Sequence, residues 1–98
     1  MTVLVDQAVW PWRGRRWAHL ASDVSYDELH LFAARLWIPR RAFQGDHYDI
    51  PSELRATAIE LGAAAVDSRE LVVRLRSAGL RRRGPIDQAE RRAGSTGQ

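Results

Sequence analysis

The chain has 98 residues, enough for one small domain that buries about two-thirds of its extended surface, so a homodimer is a fair expectation. It contains no cysteine, which excludes disulfides, thiolate catalysis and cysteine-based zinc or iron–sulfur sites. No apolar stretch approaches the roughly 20 residues that a membrane span needs, and the first residues lack the pattern of a signal peptide. We therefore expect a cytoplasmic protein that has no membrane contact.

The net charge of +3 is unevenly distributed. All 15 basic residues are arginine. Residues 1–74 hold nine arginines against ten acidic residues, a balance of −1, whereas residues 75–98 hold six against two, a balance of +4. We expect residues 1–79 to form a single α/β domain and residues 80–98 to be a basic, disordered or frayed tail with weak affinity for nucleic acid.

Hydrophobic patterning and turn residues predict alternating strands and helices in the order β–(β)–α–β–α–β–α. The predicted strands lie at residues 2–5, 17–21, 43–50 and 63–66, and residues 10–16 are predicted to be a loop. The predicted helices begin at Ser25, Pro51 and Asp67 or Ser68, and they end at Pro39, Gly62 and Gly79. This order favours right-handed crossovers and hence a three- or four-stranded, mainly parallel sheet with three helices.

The first helix carries the clearest local signals. Ser25 and Glu28 have the spacing of a capping box, in which each side chain accepts a hydrogen bond from the other residue's amide. The helix should be buried along one stripe, formed by Leu29, Phe32, Ala33 and Leu36. In the third strand, alternation would turn His47 and Asp49 to one face and Tyr48 and Ile50 to the other.

Carboxylates follow several of the predicted strands. Asp6, Asp49 and Asp67 would meet outside the carboxyl ends of a parallel sheet, where ligands collect in α/β folds. Such carboxylates suit Mg²⁺ or Mn²⁺, so Asp6, Asp49 and His47 form a candidate metal site, with His47 as ligand or general base. Aspartate also commonly caps helices and turns at such junctions, and for Asp67 capping is the favoured interpretation.

Two further groups could bind an anion. Ser68 and Arg69 at the start of the third helix would offer a hydroxyl, a guanidinium and free backbone amides, although a capped helix with a surface arginine is commoner. The loop around Arg13, Arg15 and Arg16 interleaves arginine with tryptophan, a composition that can stack a base or clamp a phosphate. Those tryptophans could equally cover the sheet. His19 and Tyr48 are the remaining candidate ligand-binding residues, although a histidine such as His19 is more often a core or turn residue.

The chain resembles the bacterial and phage family catalogued as domain of unknown function 4031, small proteins with a Tyr-Val-Asp motif near the start and a His-Tyr-Asp motif in mid-chain. The matching segments are residues 4–6 (Leu-Val-Asp), 12–20 (Trp-Arg-Gly-Arg-Arg-Trp-Ala-His-Leu) and 46–50 (Asp-His-Tyr-Asp-Ile). Leu4 stands where that first motif has tyrosine. The resemblance implies that Asp6, His47, Tyr48 and Asp49 occupy the family's signature positions, and it implies no activity.

The favoured function is binding or hydrolysis of a phosphorylated, nucleotide-like small molecule, by catalytic Asp6, His47 and Asp49 at the carboxyl edge of the sheet. One alternative is a non-catalytic module that binds nucleic acid or a protein through the tryptophan and arginine loop and the basic tail. Another is an interaction protein whose polar motifs only cap helices. The sequence contains no motif that decides among them.

Overall fold

The computed structural model describes residues 2–7 and 10–82. These residues form five strands: β1 (Val3–Val5), β2 (Trp10–Trp12), β3 (Arg15–Ser22), β4 (Tyr48–Pro51) and β5 (Ala64–Ala65). They form three α-helices, α1 (Tyr26–Arg35), α2 (Ser52–Glu60) and α3 (Ser68–Ser77), and a 3₁₀ turn, Arg40–Ala42. Within this part of the chain, no helix is both long and apolar enough to cross a membrane.

The sheet is mixed and mostly antiparallel, so the prediction of a mainly parallel sheet was wrong. The long strand β3 pairs antiparallel with three strands. Along one edge it pairs with β1 and then with β2, and along the other edge it pairs with β4. Only the β1–β5 pairing is parallel. The difference begins at residues 10–16, because two strands joined by a tight two-residue turn must run antiparallel.

Residues 10–16 are therefore a hairpin and not the predicted loop. Its turn consists of Arg13 and Gly14, both with positive φ, at 53° and 74°. That combination matches a type I′ turn, the connection whose twist suits a β-hairpin. Pro11 lies in the short strand β2, opposite Arg16.

The sheet is covered on both faces. One face packs beneath α1 and α2 and includes Val3, Val5, Ala18, Leu20, Tyr48 and Ile50. The opposite face packs beneath α3 through a smaller cluster, formed by Leu4, Ala21, Leu71 and Leu75. This second cluster covers only one end of its face of the sheet. The polar residues described in the next subsection lie on the uncovered part of that face.

The first helix follows its sequence signals closely. The Ser25 hydroxyl accepts the Glu28 amide at 3.0 Å. The second half of the expected capping box is absent, because Ser22 occupies that place: its hydroxyl accepts the Ser25 amide and donates to the Glu28 carboxylate. The predicted stripe is buried, as expected: Leu29, Phe32, Ala33 and Leu36.

The chain after α3 stays in contact with the domain over residues 80–82. The Tyr26 hydroxyl donates to the Leu80 carbonyl, and the Arg82 guanidinium lies 4.3 Å from the centre of the Tyr26 ring. Residues 83–98, most of the predicted tail, lie outside the described residues.

Candidate metal centre

A cluster of two imidazoles and a carboxylate lies on the sheet face that α3 partly covers. His19 in β3 and Asp49 in β4 are directly opposite each other in the antiparallel register. His47 precedes Asp49 by two residues, so the alternation of an extended chain turns both side chains to the same face. One potential ligand atom from each of the three residues lies within 4.8 Å of the other two.

The Asp49 carboxylate occupies the middle of this cluster. Its Oδ1 lies 3.1 Å from His47 Nε2 and 3.8 Å from His19 Nε2. The two rings meet edge to face, with centroids 5.0 Å apart. Although both nitrogens are near, Asp49 Oδ1 is buried and accepts no well-directed hydrogen bond from any described residue. The His47 ring is the nearest partner of this oxygen, and a cation bound between the two would take over that contact.

The imidazole of His19 is oriented by Asp6, a fully buried carboxylate at the end of β1. Asp6 Oδ2 lies 2.7 Å from His19 Nδ1, and Asp6 Oδ1 accepts the His19 backbone amide at 2.6 Å. The Ser68 hydroxyl donates to Asp6 Oδ2 at 2.8 Å. Because the ionised carboxylate can only accept, His19 Nδ1 carries a proton and Nε2 faces Asp49.

The imidazole of His47 is oriented in the same way by its neighbour. His47 Nδ1 lies 2.7 Å from Oδ1 of Asp46, a buried carboxylate. The second oxygen of Asp46 is held by the segment after α3: it accepts the Arg82 amide at 2.9 Å and the Arg81 guanidinium at 3.3 Å. Each histidine thus has a carboxylate behind Nδ1, the arrangement that commonly orients histidines bound to a metal.

The carboxylates and imidazoles of the cluster shift one another's pKa values. Burial acts to raise the pKa of both Asp6 and Asp46, but hydrogen bonds, chiefly from His19 and His47 respectively, hold each pKa below its usual value. Burial acts to lower the pKa of His47, yet the carboxylates of Asp46 and Asp49 outweigh it and raise that pKa to about 9. The three carboxylates are thus balanced by the charged His47 ring and by the nearby Arg55 and Arg81, and a bound metal ion would take the place of the His47 proton.

An arginine lies beside the centre without belonging to it. Arg55 of α2 donates from Nε to the Asp6 carbonyl at 2.7 Å. Since Ser68 also contacts Asp6, the guanidinium, the hydroxyl and the first turn of α3 lie around the same end of β1. The Ser68 hydroxyl already donates its proton to Asp6, so the N–H groups of Arg55 that do not bind Asp6 are the ones that can hold an anion at this end of β1.

The structure brings several of the predicted site residues together, but Asp6 and His19 have roles that differ from the predicted ones. His47 and Asp49 face one another, but Asp6 has its carboxylate oxygens engaged by His19 and Ser68. The place expected for Asp6 in the metal site is therefore occupied by His19. The cluster also lies across the sheet face instead of at a common carboxyl edge, because β3 and β4 run antiparallel.

Other predicted residues lie elsewhere. Tyr48 is only 1% exposed and packs on the opposite face, where its hydroxyl lies 2.8 Å from His30 Nδ1, so it does not reach the cluster. Arg69 is exposed in the first turn of α3, and Asp67 caps that helix by accepting the Glu70 amide. Three predicted anion-binding residues lie on the hairpin: Arg13, Arg15 and Arg16.

Sequence reasoning missed two contributors, Asp46 and Arg55. Asp46 adjoins His47 in the sequence, and a carboxylate directly before a candidate ligand histidine is a signal that could have drawn attention to it. Arg55 had no such signal, because only the packing of α2 against β1 brings it to the Asp6 carbonyl.

The fold and the cluster together define a small α/β domain with a carboxylate-oriented histidine pair facing a third carboxylate. The chain belongs to the family described as "Protein of unknown function (DUF4031)", whose family model matches residues 3–78. No curated protein and no solved structure matches the chain.

Proposed function

We propose that this protein is a metal-dependent hydrolase of a phosphorylated, nucleotide-like small molecule. One divalent ion would be held by His19 Nε2, His47 Nε2 and the Asp49 carboxylate. The single observation that carries the proposal is the convergence of these three ligand atoms within 4.8 Å. Ligands bound about 2.0–2.2 Å from one ion lie roughly 3–3.5 Å apart, so small side-chain movements would complete the site.

The ligand set favours a transition metal. Two imidazoles and one carboxylate suit ions such as Zn²⁺ or Mn²⁺ better than Mg²⁺, which prefers oxygen ligands. Three protein ligands also leave coordination positions for water and substrate. A bound ion would polarise a phosphoryl oxygen and lower the pKa of water.

The surrounding residues match a phosphate ester. Asp6 and Asp46 hold the imidazoles in place, while the Arg55 guanidinium at the end of β1 would bind the phosphate oxygens. In hydrolysis, the oxygen of water bonds to phosphorus, the bond from phosphorus to the leaving oxygen breaks, one proton of water passes to that leaving oxygen, and the other stays on the phosphate. The reaction needs no oxidant or reductant.

Metal titration by calorimetry tests the site. The metal-free protein should bind one equivalent of Zn²⁺ or Mn²⁺, and His19→Ala, His47→Ala and Asp49→Asn should each weaken binding at least tenfold. The matched control is His30→Ala, since His30 is the third histidine of the chain and lies on the opposite face. If no divalent ion binds, or if the control loses as much affinity as the ligand variants, the metal centre is rejected. The histidine–carboxylate pairs would then be a buried ion-pair network.

Phosphate release tests the reaction. Nucleoside and sugar phosphates are incubated with the protein and either Zn²⁺ or Mn²⁺, and then again after chelation. We expect phosphate release that requires the ion and is lost in His47→Ala but retained in His30→Ala. Metal binding without metal-dependent release from any of these esters would reject hydrolysis.

A further inference from the structure

The β2–β3 hairpin presents an aromatic and cationic surface, which we call the hairpin face and define as the exposed Trp12, Arg13 and Arg15 together with the half-buried Trp17. Trp12 and Arg15 are opposite one another in the antiparallel register, so their side chains lie on the same side of the hairpin. Trp17 shares that side by strand alternation. Trp12 remains 51% exposed although it lies in a strand.

The hairpin face is continuous with the candidate metal centre. Arg15, Trp17 and His19 alternate along β3 and therefore point to one side of the sheet. Arg15 and His19 are separated by about 14 Å along the strand at roughly 3.4 Å per residue. Helix α3 packs on Ala21 and Leu4, farther along the same side of the sheet. The candidate metal centre therefore lies between the hairpin and α3.

The hairpin face is also held in a fixed conformation. The Trp17 indole donates from Nε1 to the Trp12 carbonyl at 2.9 Å, and the two rings lie 5.6 Å apart at 59°. The Arg13 guanidinium lies 4.7 Å from the centre of the Trp12 ring. A ligand that stacked on Trp12 would displace the Arg13 guanidinium from the ring, while the hydrogen-bonded pair of Trp12 and Trp17 stays ordered and lowers the entropic cost of binding.

The charge of this segment selects an anionic ligand. Residues 7–22 contain three arginines and no carboxylate. Arg15 is exposed, and it forms no ion pair with another residue among those that the structure describes. Exposed tryptophan beside arginine is the composition that binds unpaired bases by stacking and their phosphates by charge.

We propose that the hairpin face binds single-stranded nucleic acid and leads its backbone to the metal centre. A base stacks on Trp12, and phosphates contact Arg13 and Arg15. The strand continues past Trp17, which places a phosphodiester at His19. This inference extends the substrate of the site proposed above from a small phosphate ester to a phosphodiester, and its catalytic part rests on that proposed function. Double-stranded nucleic acid fits less well, because its bases are stacked on each other and cannot cover the indole.

The test is fluorescence anisotropy with a labelled oligothymidylate of about 15 nucleotides, the full chain and a chelator. Trp12→Ala should weaken binding about tenfold, which is the size of one base–aromatic stack. Arg15→Ala should weaken binding and reduce the slope of log affinity against log salt by about 0.7, the value for one phosphate contact on a single strand. The duplex of the same length should bind more weakly.

Matched controls separate the hairpin from the other exposed groups. Trp37→Ala removes a tryptophan that is 93% exposed at the end of α1, on the opposite side of the sheet, and should leave binding unchanged. The double variant Arg91→Ala/Arg92→Ala removes two tail charges and should have less effect than Arg13→Ala/Arg15→Ala. Thermal melts of each variant show whether the fold is retained. If Trp12→Ala unfolds, Arg15→Ala tests the hairpin face instead, because Arg15 is exposed.

The outcomes also separate this inference from the proposed function. Trp12→Ala/Arg15→Ala should lose oligonucleotide affinity while retaining metal binding. Absence of oligonucleotide binding, or binding that only the tail variant weakens, overturns the hairpin inference even if metal binding is normal. Oligonucleotide binding that depends on Trp12 and Arg15 supports the inference even if phosphate release is never observed.

Discussion

Raising the pH should destabilise the metal-free protein through a single residue. The pKa of His47 is about 9 in the folded chain, against an ordinary value of 6.5, because Asp46 and Asp49 stabilise its charged form. Between these two values the folded state binds a proton that the unfolded state has lost. The stabilisation is complete below pH 6.5 and disappears as the pH rises through 9. Its size is about 3 kcal/mol, at 1.36 kcal/mol for each unit of pKa difference.

Urea unfolding in the presence of a chelator, followed by circular dichroism from pH 6 to pH 9.5, measures this loss. The chain contains neither cysteine nor lysine, and burial raises the pKa of Tyr26 and of Tyr48, so few other groups titrate in that range. The free energy of unfolding should fall by about 1.4 kcal/mol per pH unit near pH 8. In the control His47→Gln the dependence should be nearly flat. A wild-type stability that stays constant or increases with pH would refute the charge arrangement described for the cluster.

Three further predictions concern other parts of the chain. Asp46→Asn should weaken metal binding about 10- to 100-fold by calorimetry, because the carboxylate behind His47 is lost; unchanged affinity would show that Asp46 does not orient the ligand. Phe32→Ala should lower the free energy of unfolding by roughly 3–5 kcal/mol in urea titrations, and a loss below 1 kcal/mol would contradict the packing of α1. Gly14→Ala should lower the melting temperature, since φ is +74° at the hairpin turn although the added methyl group meets no atom within 4 Å. A rise in melting temperature would contradict the type I′ turn.

The sequence alone determined the elements whose signals are local. The Ser25 cap and the stripe through Leu29, Phe32 and Leu36 are present in the structure because capping and helical periodicity act within a few residues. The strand alternation that turns His47 and Asp49 to one face, away from Tyr48, is local for the same reason. These features require no knowledge of what packs against them.

The strand directions and the composition of the site were decided only by the tertiary structure. The Arg13–Gly14 turn makes β3 antiparallel to β2, and the separate antiparallel pairing of β3 with β4 places His19 opposite Asp49, although 29 residues separate them in the sequence. No short-range pattern pairs those two side chains, because strand register depends on which strands meet. The position of Asp6 behind His19 follows from another long-range pairing, that of β1 with β3, beyond which the Asp6 amide donates to the His19 carbonyl. The Asp6 carboxylate therefore orients the His19 imidazole.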